Sequence, residues 1–187
     1  TATPPEPDTT APARPSRTLC ARPPSIVASL GARGLDAIVA GFFGRGGDGE
    51  KAINRIKSFG QPVLDVLGPI PYAQLNAMLD DSYPRGARNY WKAHFCEGLD
   101  DAALDTLVEN FETCPSPMGQ ILIERFHGAA TRVPVSDTAY ALRAEGFNLV
   151  VLSQWMAPEG DDPGRAWARS AYSALTPFVA STRYLNY

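Results

Sequence analysis

The run Gly146-Phe-Asn-Leu-Val-Val-Leu-Ser-Gln-Trp155 constrains the fold more than any other stretch of the 187 residues. It is apolar, too short and too rich in β-branched residues to be a helix of its own. An Ala-Glu-Gly turn precedes it and Ala-Pro-Glu-Gly-Asp-Asp follows it, so it reads as a central β-strand. Alternate side chains of a strand share a face. Phe147, Leu149, Val151, Ser153 and Trp155 therefore point one way, and Asn148, Val150, Leu152 and Gln154 the other. Gln154 stands out as an amide among apolar neighbours. Periodicity alone allows a strand-end glutamine satisfied by backbone or water.

Around this strand the chain alternates. Residues 1–34 hold seven prolines in their first 24 and read as a linker or loosely attached segment, with a short ordered piece at residues 25–30. Residues 35–43 form the first convincing strand. A glycine cluster leads into a helix at about 49–58, with Asp48 as N-cap. That cluster lacks both the Lys-Ser/Thr of a P-loop and the spacing of a dinucleotide site. A proline-punctuated loop is followed by a helix at about 71–80, with Tyr72, Leu75, Met78 and Leu79 turned inward. Residues 89–96 read as a strand, and residues 101–113 as a helix capped by Asp100/Asp101. That helix carries the stripe Leu104, Leu107, Val108 and Phe111. Strands follow at 120–127 and 146–155. A helix opened by Asp161/Asp162 and Pro163 has Trp167, Ala171 and Leu175 inside, and a closing strand takes residues 181–187. The expected class is α+β: an antiparallel β-sheet covered on one face by helices.

Composition narrows the function classes. With 44% hydrophobic and 20% charged residues, one core-bearing domain fits this length. A net charge of −3 with no Lys/Arg run argues against a nucleic-acid partner, and no apolar stretch is long enough for a membrane helix. Cys20, Cys96 and Cys114 are too widely spaced to suggest a disulfide framework or a zinc site, so reduced thiols and a cytoplasmic setting are expected. Two histidines leave little for a metal site or triad. The chain starts without methionine and stops inside a strand-like segment, which suggests a piece of a longer protein.

Seven motifs in order go further than periodicity can. They are Gly60-Gln-Pro-Val-Leu-Asp-Val-Leu-Gly-Pro-Ile-Pro-Tyr72, Asn89-Tyr-Trp-Lys92, Pro115-Ser-Pro117, Arg132-Val-Pro…Asp137-Thr-Ala-Tyr…Arg143, Asn148-Leu…Gln154-Trp155, Trp167-Ala-Arg169 and Tyr184-Leu-Asn-Tyr187. Over residues 35–187 the chain resembles the C-terminal, substrate-binding half of bacterial FAD-linked oxidases of the berberine-bridge-enzyme-like group, in the vanillyl-alcohol-oxidase superfamily. Residues 1–34 depart from the resemblance, because prolines stand where the family usually has a strand.

The resemblance implies an enzyme split between two domains. A separate FAD-binding domain holds the flavin, often through His or Cys, while this part lays its sheet over the flavin ring and binds a small-molecule substrate. Tyr184 corresponds to a tyrosine that deprotonates a substrate hydroxyl. A phenol ordinarily titrates near 10, so that role needs help from flavin or a polar neighbour. Gln154 matches a residue that positions this tyrosine. Asn186, on the same strand face as Tyr184, and Tyr187 fall to the cofactor, and Tyr140, Arg143 and Lys92 to the substrate. Leu142 replaces the family's usual histidine, and Leu152 a lysine of plant members. Cys96 occupies a place the family fills with an apolar residue, which makes it a poor flavin anchor. Read without the family, Tyr184 is a closing-strand aromatic packed on Trp167.

Two functions are therefore in contention. One is the substrate half of a flavoenzyme oxidising an alcohol, sugar or secondary metabolite by hydride transfer to flavin, with O2 as acceptor. The other is a non-catalytic remnant or dimerisation module of the same fold, lacking the FAD domain, whose exposed sheet face would pair in a homodimer.

Overall fold

A computed structural model describes residues 25–31, 35–42, 46–58 and 60–181. Five strands form one antiparallel sheet: β1 (Ser25–Gly31), β2 (Leu35–Gly41), β3 (Arg88–Cys96), β4 (Gln120–Phe126) and β5 (Gly146–Trp155), in the order β2-β1-β4-β5-β3. The helices are α1 (Gly46–Lys57), α2 (Tyr72–Ala77), α3 (Asp101–Glu112) and α4 (Asp161–Ala174). The α+β class and the antiparallel sheet agree with the sequence reading, and β5 has the expected bounds. β5 lies between β4 and β3, in keeping with its unbroken apolar run Leu149–Leu152.

The sheet has two unlike faces. Leu149 and Val151 of β5, Ile121 of β4 and Cys96 of β3 pack with Leu107 of α3, with Trp167, Ala168 and Ala171 of α4 and with Leu175 at its C-cap. This is the core, and it contains the inner stripe expected for α4. α4 lies close to β5 because position 164 is glycine. A Cβ there would sit 2.7 Å from Trp155 Cε3 and 2.9 Å from Ser153 Oγ. Gly164→Ala is therefore expected to lever α4 off the sheet at a cost of about 1–3 kcal/mol, read as a lower urea midpoint with unchanged slope.

A polar clamp closes the same end. Asp161 opens α4, accepts from Arg88 Nη2 at 2.7 Å and from Trp155 Nε1 at 2.8 Å, and also pairs with Arg88 Nε and with Arg165. The Arg88 guanidinium, then the indole N–H, hold its carboxyl at about 2. A depressed carboxylate stabilises the fold above its unfolded value of 3.8 and loses that contribution as pH falls through about 2. An acid titration of Asp161→Asn followed by circular dichroism should lack the loss of stability between pH 3.8 and about 2 that the wild type shows.

The short ordered piece expected at residues 25–30 is borne out as β1, a full sheet member. Three expectations need correction. Asp48 lies in the first turn of α1 rather than at its cap, because the helix starts at Gly46. α2 ends at Ala77 before a 3₁₀ turn at Asp80–Ser82, and Tyr72, Met78 and Leu79 are exposed while Leu75 is half-buried. A six-residue helix has too little length to seat such a stripe. α3 is capped by Asp100, whose side chain accepts from the Ala103 amide at 2.8 Å, but it buries Ala103 and Leu107 while Leu104 and Val108 stay exposed. The small Ala103 marks the line of closest approach, and the rest of the stripe lies beyond it. The expected closing strand falls mostly on residues 182–187, outside the described residues.

Candidate functional site on the sheet face opposite α3 and α4

Gln154 sits near the end of β5, on the face turned away from the core cluster, with Leu152, Val150 and Asn148 behind it. Register brings Asn89 of β3 opposite Gln154, Trp91 opposite Leu152, and Glu124 of β4 opposite Asn148. Directly opposed residues of an antiparallel pair share a face, so one surface carries all of them.

The backbone of Gln154 is secured where β4 has already ended. Ser116 Oγ donates to the Gln154 carbonyl and accepts from the Met118 amide at 3.2 Å. The Pro115-Ser-Pro117 turn thus holds the strand end in place. The side chain is in a different position: Gln154 is only 2% exposed, yet its Nε2 has no hydrogen-bond partner. The Nε2 end of the amide thus has no backbone acceptor. Asn148, with no exposed surface, repeats the pattern. Its Nδ2 donates to Glu124 Oε2 at 2.7 Å, while its Oδ1 is buried without a partner. Buried polar atoms without partners are few in native proteins, and each calls for an explanation.

Aromatic groups flank these amides. Tyr83 lies with its ring 5.5 Å from that of Trp91, tilted 53°. Burial, then the nearby Glu124 carboxylate, pushes its phenol above the ordinary value. Sequence reasoning passed over Asn148 and Tyr83 as functional candidates. The available signal was the facing of Asn148 and Glu124 across β4 and β5.

The other expected site residues are distributed as follows. Lys92 pairs with Val151 and therefore points to the helix side, opposite Gln154. Its Nζ lies 4.3 Å from the Tyr172 ring centre of α4 and 6.0 Å from that of Tyr90. His94 shares that side, stacked on Tyr172 with centroids 3.7 Å apart and donating to the Tyr172 carbonyl at 2.8 Å. Tyr140 and Arg143 belong to the connection between β4 and β5, which joins the sheet at the Gly146 end rather than the Gln154 end. Arg143 donates to the Ala130 carbonyl at 2.8 Å and to Thr138 Oγ1, with its guanidinium 4.8 Å over the Tyr140 ring. The structure thus brings Tyr140 and Arg143 together and places Lys92 and Gln154 on opposite faces. Tyr184, Asn186 and Tyr187 lie outside the described residues. The chain approaches the outer edge of β3 just before that point, where the Ala180 amide donates to the Phe95 carbonyl at 2.8 Å.

Cys96 is fully buried on the helix side, and burial pushes its thiol up to about 11. It therefore has neither the access nor the thiolate to anchor a cofactor. A cleft of roughly 300 Å³, lined among others by Pro115, Pro117, Trp155 and Gly164, opens on the helix side of the β5 end, so the Gln154 side chain does not line it. Among the described residues, no group of three or more His, Cys, Asp or Glu is placed to hold a metal ion. No helix there is long and apolar enough to cross a membrane.

This architecture recurs in solved structures. BBE-like #28 from Arabidopsis thaliana superposes with a TM-score of 0.68 at 16% identity, covering 86% of this chain and 37% of that one. Berberine bridge enzyme from Eschscholzia californica gives 0.69 at 15%, covering 88% and 36%. The fold is that of part of a berberine-bridge-enzyme-like protein. Aclacinomycin oxidoreductase gives 0.61 at 22%, covering 82% and 33%. An FAD-linked oxidoreductase of Dictyostelium discoideum is 25% identical over 144 residues, which is 75% of this chain and 32% of that protein. No family model matches the chain. The chain thus spans about a third of the length of these relatives, and the expected resemblance agrees with the fold found.

Proposed function

We propose that this chain is the substrate-binding, flavin-covering part of an FAD-dependent oxidoreductase, with the sheet face opposite α3 and α4 lying over the flavin. The observation that carries the reading is the buried, partnerless Nε2 of Gln154 on that face. A flavin ring edge presents carbonyl and nitrogen acceptors and one N–H donor. Such an edge, or a substrate hydroxyl, offers the acceptor and the donor that Gln154 Nε2 and Asn148 Oδ1 lack, and because both atoms are buried in this chain the groups over them would have to shift to admit it. When bound, the flavin would accept a hydride from an alcohol, sugar or secondary-metabolite substrate and pass the electrons to O2. The FAD-linked and berberine-bridge-enzyme-like relatives support this class of chemistry.

In this reading the chain's own residues bind, orient and take a proton. Tyr184 deprotonates the substrate hydroxyl and Gln154 orients that phenol. Asn186 and Tyr187 contact the cofactor, while Tyr140 and Arg143 line the substrate side. Lys92, engaged with Tyr172 on the other face, would reach substrate only from the side of the sheet opposite Gln154. The FAD-binding domain is a companion beyond these residues. The free thiols Cys96 and Cys114 fit a cytoplasmic setting.

Tyr184→Phe in the full-length enzyme tests the assignment. Stopped-flow measurement of flavin reduction should show a fall of about 10²–10⁴-fold, the usual contribution of a positioned base. An unchanged rate removes Tyr184 from the mechanism.

A further inference from the structure

Residues 61–79 form an arm that is ordered without being buried. Val63 is 99% exposed, Leu64 76%, Val66 81% and Tyr72 69%, and along the arm only Leu67 and Leu75 are even half-buried. Its shape comes from polar contacts made at its root. Asp65 Oδ2 pairs with Lys57 of α1 at 2.7 Å, Asp65 Oδ1 accepts from the Leu67 amide at 2.9 Å, and Lys57 also donates to the Leu67 carbonyl at 3.3 Å. Pro62, Pro69 and Pro71 restrict the backbone further. Asp65 is the sole charged residue of the arm, and Lys57 neutralises it from within the chain. The arm therefore presents an aliphatic, uncharged and preshaped surface. Apolar side chains held in water in this way mark an interaction surface, and preshaping lowers the entropy cost of docking.

We propose that this arm is the seat on which the companion domain docks. The occupant follows from length: this chain spans 36–37% of the solved berberine-bridge-enzyme-like chains that share its fold, so most of such a polypeptide lies beyond it. The lack of free charge on the arm fits a dry, permanent contact of the kind made within one polypeptide, since obligate interfaces are the more apolar ones. The inference rests on the reading of a companion FAD-binding domain given above. It adds which surface of this chain that domain grips.

The test is hydrogen exchange read by mass spectrometry on the full-length polypeptide and its Val63→Asp/Val66→Asp variant. Both positions are almost fully exposed, so the substitutions leave the fold of this chain intact, and unchanged exchange in β5 verifies that. The expected result is slow exchange across residues 61–79 in the wild type and exchange about tenfold faster in the variant. Equal exchange in the two overturns the proposal. So does protection that grows with protein concentration, which would assign the arm to a second copy of the chain. The flavin reading is followed separately by visible absorbance. Flavin bound with a freely exchanging arm defeats only the docking proposal, and a protected arm in a colourless polypeptide defeats only the flavin.

Discussion

Trp167→Ala is expected to destabilise the chain by about 3–5 kcal/mol, which would leave little of the roughly 5–15 kcal/mol available to an ordinary domain. Trp167 is 6% exposed and lies in the core cluster with Leu107, Leu149, Val151 and Leu175. It also makes a directional tie, because its Nε1 donates to the Asn110 carbonyl at 2.8 Å and fastens α4 to α3. Alanine removes both the volume and the bond, and it leaves a void that two helices and the sheet cannot all close. Trp167→Phe separates the terms. It keeps most of the ring and forfeits the bond, so it should cost markedly less than alanine. Urea unfolding of the three proteins measures this, and equal losses in the two variants would show that the bond rather than the packing holds α4.

Gln154→Leu is expected to act in opposite directions on stability and on chemistry. In the 187-residue chain the buried Nε2 has no partner, and an unsatisfied buried polar group costs about 1–3 kcal/mol. Leucine has similar volume and no polar atoms, so the variant should melt higher, by about 2–4 °C per kcal/mol recovered. On the proposed role of Gln154 in orienting Tyr184, the same change should slow flavin reduction in the full-length polypeptide. A purely structural glutamine would produce no such opposition. If the variant melts lower and reduces flavin at the wild-type rate, Gln154 is an ordinary strand-end residue.

Legibility in the sequence followed how local the causes were. β5 announced itself because its apolar run is bounded by turn residues on both sides, and α4 because Trp167, Ala171 and Leu175 recur at helical spacing. The Asp100 cap was visible in the same way. Tyr72, Met78 and Leu79 misled because periodicity records which residues could be buried. Whether another layer exists to bury them depends on tertiary structure. Which face Lys92 takes was illegible for a related reason. Its neighbours do not reveal which face of β3 meets helices, since the pairing of Lys92 with Val151 is set by register across residues far apart in the chain. Gln154 was conspicuous as an amide in an apolar strand, but its lack of a partner emerges only from packing.

The visible absorption spectrum of the full-length polypeptide and of its Gln154→Leu variant tests most directly whether the sheet face that carries Gln154 lies against flavin. The account predicts bound FAD in the wild type and a shifted flavin band in the variant, because an amide facing the ring changes its hydrogen bonding. A colourless wild type, or flavin bands identical in the two proteins, would contradict it.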